Sequence, residues 1–287
     1  KDAFDRLNLH SMLLQPEMLE SVQPDVNLVS TLMSLRGIIP EKTKETARLV
    51  VRKVVDALMK QLEEPMRTAV SGALNRAVRN RRPRHAEIDW NRTIRANLKH
   101  WQQEYKTIVP ETLIGYGRKS QRVQREIILC IDQSGSMADS LLHAAVSASI
   151  LAGLPGVSVR LILFDTSLVD LTHLAHDPVE VLLTAQLGGG TNIAKALRYA
   201  EQLLQNPRRS IVVLVSDFEE GGPEGAFLRT AASLVEAGVT VLCLGALDSS
   251  GRAHYNERIG RSLAEVGAQV AVMTPDQLAA WVAEVIG

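Results

Sequence analysis

The chain has 287 residues, 46% of them hydrophobic, which is enough for a substantial core and exceeds one average domain. No stretch reaches the roughly 18 to 20 uninterrupted apolar residues of a membrane span, and no secretory signal is visible, so a cytoplasmic location is expected for a chain that opens on Lys1 rather than methionine. Only two cysteines occur, Cys130 and Cys243, each within an apolar run; they read as filler in buried strands of a reducing compartment and exclude a disulfide framework. The zero net charge conceals a division: residues 1–75 balance at ten of each sign, 76–125 carry thirteen Lys and Arg against four acids, and 126–287 carry nine against eighteen.

Residues 1–75 read as an α-helical module. Leu28, Leu32 and Leu35 suggest a short helix ending at Gly37. From Glu41 to Glu64, Ala47, Val50, Val51, Val54, Val55, Leu58 and Leu62 recur at spacings of three and four, the signature of an amphipathic helix. Pro40 and Pro65 punctuate it, and Met66 to Val78 has the composition of another helix. Residues 76–125 form a basic connecting region with one helix. It holds the run Arg79-Asn-Arg-Arg-Pro-Arg84 and then a helical pattern from Ile88 to Trp101, with Ile94, Leu98 and Trp101 on one side and Arg92, Arg95 and Lys99 elsewhere.

Residues 126–287 alternate strand and helix. Strands are expected at Ile127–Asp132, Val157–Phe164, Ile211–Asp217, Val239–Leu244 and Gln269–Met273, with an edge strand at Leu168–Leu171. Helices are expected over Ser140–Leu154, Ile193–Leu204 and Gly225–Ala237, and from Asp276 onward. This alternation predicts a doubly wound, Rossmann-like α/β fold with a mostly parallel sheet. Such sheets bind ligands beyond the carboxyl ends of their strands. There the sequence places Asp132, Ser134 and Ser136 after one buried strand, Thr191 in the glycine-rich loop Gly188-Gly-Gly-Thr191-Asn192, and Asp217 after another. Each residue alone is explained as a strand end or a helix cap. Together they are five hard oxygen donors in the composition needed to hold one divalent cation.

This set, in this order, resembles the von Willebrand factor A (VWA) domain and its metal-ion-dependent adhesion site, over roughly Glu126 to Gly287. The resemblance implies that Ser134, Ser136 and Thr191 reach the metal through their hydroxyls and Asp132 and Asp217 largely through bridging water. It also implies a coordination position left for an Asp or Glu of a protein partner, completing an octahedron of oxygens that suits Mg²⁺, with Mn²⁺ a substitute and Ca²⁺ preferring more ligands. The run Ile88–Trp101, with Asp132-Gln-Ser-Gly-Ser-Met137, Phe164-Asp-Thr166, Leu187–Asn192, Ser216-Asp-Phe218 and Ala246-Leu-Asp248, resembles the bacterial CoxE-like, MoxR-associated VWA proteins of YehP type, nearly end to end. That likeness implies an adaptor working beside a MoxR-type AAA+ ATPase to remodel, assemble or metallate a client.

Enzymatic readings find little support. Gly188–Asn192 lacks the Lys-Ser/Thr ending of a P-loop, the seven histidines form no ligand-spaced pair on a helix face, and no serine sits in a Gly-x-Ser-x-Gly turn. The expected role is therefore non-catalytic. The main alternative is a nucleic-acid-binding scaffold, similar to Ro-type RNA-binding proteins, with arginines around Trp90, Trp101 and Tyr116 contacting phosphates and bases. The sequence favours instead Trp90 and Trp101 packing their helix onto a core, with the arginines solvated or meeting the acidic third region. Asp165 and Asp248 are expected near the metal face or as loop caps, and Glu219 and Glu220 as a solvated charge pair.

Overall fold

Ile127 to Ile131 and Ile211 to Leu214 are buried without interruption, as strands covered on both faces must be. In the computed structural model, which describes residues 24–77, 79, 80, 88–116, 125–154, 156–247, 253–272 and 275–286 with isolated positions 15, 17, 19, 83 and 85, these runs become β5 (Arg125–Asp132) and β8 (Ser210–Ser216). They pair in parallel at the centre of a sheet. β6 (Val157–Phe164) flanks β5, and β9 (Thr240–Leu247) flanks β8, both in parallel. The edges are β7 (Leu168–Asp170), antiparallel to β6, and on the far side β10 (Ala253–His254) and β11 (Gln269–Ala271), antiparallel and parallel to β9. The chain leaves β5 for β6 on one side and returns to β8 on the other. The switch in strand order therefore lies between β5 and β8, where an open α/β sheet forms its crevice.

Alternation along the strands divides the core in two. Ile127, Leu129 and Ile131 join one apolar cluster, and Ile128 and Cys130 the other. Over the second face lie α6 (Ile193–Leu203), α7 (Glu224–Glu236) and α8 (Glu257–Glu265). Over the first lie α4 (Ala138–Ala152) and α5 (Pro178–Thr184), joined in the same cluster by α1 (Val26–Leu35), α2 (Glu41–Ala77) and α9 (Pro275–Ile286). α2 packs chiefly on α9 and also on α4, so helices from the first 77 residues form part of the wall around the α/β core. Asp177, Asn192 and Asn256 cap α5, α6 and α8 by accepting backbone N–H bonds of the first turn.

Cys130 and Cys243 face Leu214 from either side, two strand spacings or about 9.6 Å apart, beyond disulfide reach. Both are free and buried, and burial pushes each thiol up to about 12.

Three expectations need correction. Pro65 does not end the second helix: α2 continues through it for 37 residues. Pro65 removes the bond to the Gln61 carbonyl, but Leu62 and Met66 on either side are both buried in the first core cluster, and tertiary packing holds the helix across the gap. The helical pattern of Ile88–Trp101 is also shorter than expected. α3 (Trp90–Ala96) gives way to a 3₁₀ turn at Leu98–His100 and then to a hairpin of β2 (Trp101–Gln102) and β3 (Thr107–Ile108). Trp90 and Trp101 do not pack onto a core; they are 46% and 54% exposed. Arg92 and Arg95 are exposed, and Arg92 pairs with Asp89 of its own region. β1 (Arg79–Asn80) pairs antiparallel with β4 (Gly115–Tyr116), and the rest of the basic run, at 81, 82 and 84, lies outside the described residues.

Met66 tests whether α2 is part of the central core. Met66→Ala is expected to lower the free energy of unfolding by about 2 to 5 kcal/mol, measured in urea. Leu49→Ala, on the exposed side of the same helix, should change it by no more than about 0.5 kcal/mol.

Candidate metal centre

The register of β5 against β8 sets Ile131 opposite Val215, so Asp132 and Ser216 are neighbours at the carboxyl edge. The Ser216 hydroxyl donates to Asp132 Oδ2 at 2.8 Å, and the Ser134 amide donates to Oδ1 at 2.9 Å. Asp132 is fully buried. Beyond it, Ser134 Oγ lies 3.3 Å from Ser136 Oγ, which donates to Asp217 Oδ2 at 2.6 Å. Four of the five expected residues are thus linked by hydrogen bonds across 85 positions of chain.

Asp217 is delivered by a strained turn. Phe218 has φ +60°, unusual for a bulky residue, and the turn is held by Ser216 Oγ accepting from the Phe218 amide and Asp217 Oδ1 accepting from the Glu219 amide. The Phe218 ring is buried edge-on against Tyr255, with centroids 5.4 Å apart, and the Asn256 amide donates to the Asp217 carbonyl.

Thr191 is brought to the same face by its main chain. The Gly188 amide donates to the Gln133 carbonyl, the Asn192 amide to the Asp165 carbonyl, and the Gly221 amide to the Thr191 carbonyl at 2.9 Å. A Cβ on Gly221 would stand 2.7 Å from that carbonyl oxygen, so only glycine permits the approach. The Thr191 side chain is buried, and no described residue hydrogen-bonds its hydroxyl.

Three further residues support the set. Gln133, between two members of the set, bridges Asp165 through Nε2 and the Gln186 amide through Oε1. Ser216 holds Asp132. Glu220 is not a solvated charge: its Oε2 accepts from the Ile193 and Ala194 amides, capping α6, and its Oε1 accepts from Gly222. Its signal was positional, a carboxylate next to a helix that begins at another loop, and only the fold reveals it. Asp165 organises its own turn by accepting from the Ser167 amide and hydroxyl, while Asp248 lies outside the described residues.

Burial pushes the Asp132 carboxyl up to about 6, against its bonds to Ser134 and Ser216, and the nearby Asp217 adds to the rise. No Lys, Arg or His is among the groups acting on it. The face therefore collects oxygen donors and negative charge without a counter-cation. Among the described residues no cluster of three His, Cys, Asp or Glu side chains could hold a metal. Any cation here would rest on mixed hydroxyl and carboxylate ligands, the hard donor set of Mg²⁺ rather than that of zinc. The 3.3 Å between the Ser134 and Ser136 hydroxyl oxygens is close to the edge of about 3 Å of an octahedron with metal–oxygen bonds of about 2.1 Å.

A family profile described as VWA domain containing CoxE-like protein matches residues 58–282, which spans α2 through α9. The chain belongs to the CoxE-like VWA family. A relative in Escherichia coli (strain K12), the uncharacterized protein YehP, is 40% identical over 284 residues, covering 99% of this chain and 75% of that protein. Among solved structures, an aerotolerance-related membrane protein from Bacteroides fragilis is 17% identical, covering 56% of this chain and 98% of that one, with a TM-score of 0.46. Manganese-loaded TRAP protein from Plasmodium vivax is 16% identical, covering 57% and 74%, with a TM-score of 0.44. No described helix is long and apolar enough to cross a membrane.

The raised Asp132 pKa has a consequence for the CoxE-like fold without metal. Its folded value of about 6 lies above the ordinary 3.8, so the stability it confers is full below about pH 4 and is lost as pH rises through about 6. Two units correspond to about 3 kcal/mol. In EDTA, the melting temperature of Asp132→Asn relative to wild type should rise between pH 4.5 and 7. A difference that stays flat with pH would show that Asp132 titrates normally.

Proposed function

We propose that the protein is a cytoplasmic, non-catalytic adaptor that binds a protein partner through a divalent cation held by Asp132, Ser134, Ser136, Thr191 and Asp217. The observation that carries this reading is the hydroxyl–carboxylate chain from Asp132 and Ser134 through Ser136 to Asp217, built around a buried carboxylate with no basic neighbour. Mg²⁺ is the ion proposed, with Mn²⁺ and Ca²⁺ as substitutes, and it would supply an electrophilic position for an Asp or Glu of the partner.

The chain's own residues do the rest. Ser216 and the Ser134 amide fix the orientation of Asp132, the Phe218 turn presents Asp217, and Glu220 and Gly221 hold the Thr191 loop in place. The set contains two carboxylates and three neutral hydroxyls, so a bound divalent ion keeps its appetite for another anion. Residues 126–287 carry nine more acids than bases, so without the cation this region repels an acidic partner. Membership of the CoxE-like family supports partnership with another protein. Within this proposal the partner system is that of a MoxR-type AAA+ ATPase, which supplies nucleotide hydrolysis for client remodelling, assembly or metallation.

Calorimetric titration with Mg²⁺ tests the reading. The wild-type chain should bind one ion at pH 7.5, and affinity should fall by about tenfold per unit as pH drops below about 6, where the proton competes for Asp132. Asp132→Ala and Ser134→Ala should weaken Mg²⁺ binding at least tenfold while leaving the circular dichroism spectrum unchanged. Equal binding in the wild type and both variants, or none in the wild type, would sink the proposal.

A further inference from the structure

Residues 88–116 are built inside out. The residues buried along α3 are polar: Thr93 and Asn97, one turn apart. Thr93 Oγ1 donates to the Ile114 carbonyl at 3.1 Å and accepts from its amide at 3.0 Å. Asn97 Nδ2 donates to the carbonyls of Thr93 and Thr112 at 2.7 and 2.8 Å, while its Oδ1 accepts from the amides of Glu111 and Thr112 at 3.0 and 3.2 Å. Both side chains are fully used in closing α3 onto 111–114, which fixes the side of the helix that faces outward.

One stripe of the exposed surface is apolar. Trp90, Ile94 and Leu98 follow one another at four-residue spacing and are 46%, 44% and 61% exposed, and Trp101, Tyr105 and Val109 of the hairpin region are exposed too. Six of the eight large apolar side chains exposed among the described residues therefore fall within twenty positions, and scattered surface hydrophobics do not cluster in this way. Arg95 and Lys99 run alongside Ile94 and Leu98, one position on, and Lys106 stands in the hairpin turn; all three are exposed and form no described ion pair. The local acids are fewer. Asp89 caps α3 and meets Arg92, while Glu104 and Glu111 are exposed, Glu111 beside His100.

We propose that this face docks an acidic amphipathic segment of a protein partner, its apolar side chains on the Trp90–Ile94–Leu98 stripe and its carboxylates on Arg95 and Lys99. Charge complementarity selects the acid, and the make-up of the stripe selects protein. Half of the six apolar residues are aliphatic and offer no face for base stacking, and three unpaired cations among carboxylates make a poor phosphate track. The surface shares no residue with the metal centre, so it stands or falls separately.

The experiment uses the full chain and a synthetic helical peptide with Leu at helical spacing and Glu along its flanks. Trp90 and Trp101 are two of the three tryptophans and serve as reporters. The peptide should shift tryptophan emission to the blue, and it should bind at least tenfold more tightly than a counterpart with Lys in place of Glu. Leu98→Ser and Arg95→Glu should each weaken it about tenfold with the Mg²⁺ titration unchanged. Equal binding of the two peptides, no binding of either, or unaltered affinity in both variants overturns the proposal. So does a single-stranded oligonucleotide that competes for the face, or self-association that the same variants abolish.

Discussion

The parallel pairing of β5 with β8 is the contact on which the candidate metal face depends. Its register puts Ile131 beside Val215 and therefore the Asp132 carboxylate beside the Ser216 hydroxyl, at the point where the chain changes direction across the sheet. A slip of one residue would exchange the two core faces, sending Ile127, Leu129 and Ile131 to the side now filled by Ile128 and Cys130. Two separate clusters of large side chains oppose that slip. The position of two acidic groups at the edge is thus enforced by apolar packing along the whole length of both strands.

That enforcement sustains several unfavourable local arrangements. Asp132 is a carboxylate buried with only neutral donors, Phe218 adopts a backbone conformation that bulky residues avoid, and Gly221 meets the Thr191 carbonyl at a distance no other residue could match. Glu220 partly offsets them, because its carboxylate satisfies two amides at the start of α6 and steadies the loop that carries Thr191. These features gather within a few residues of the five proposed ligands.

Much of this was legible in the chain. Uninterrupted β-branched runs mark strands covered on both faces, and their spacing with amphipathic helices implies the doubly wound order, as found. The candidate ligands were legible because each follows a recognisable strand or glycine-rich loop. What escaped depends on partners far along the chain. Pro65 reads as a helix end by local rules, and only the burial of Leu62 and Met66 against other elements carries α2 through it. Glu220 reads as a surface charge until the fold brings the start of α6 to it. Trp90 and Trp101 read as core residues by composition, because hydrophobicity cannot distinguish a side chain that seals a core from one that waits for a partner.

The division of charge along the chain acquires a physical sense from these two surfaces. In the proposed reading, an excess of nine acids over residues 126–287 favours a cation and disfavours an acidic partner, and an excess of nine bases over 76–125 does the reverse. Contacts of an acidic protein with Arg95 and Lys99 are exposed and screened over about 8 Å at physiological salt, so they speed encounter more than they hold. A carboxylate bound to a cation at a buried site is screened far less. A partner engaging both surfaces would gain from the linkage, since the first contact raises the effective concentration of the second. Its residence would then depend on divalent cation while its arrival depended on ionic strength, and those two dependences are separable by kinetics.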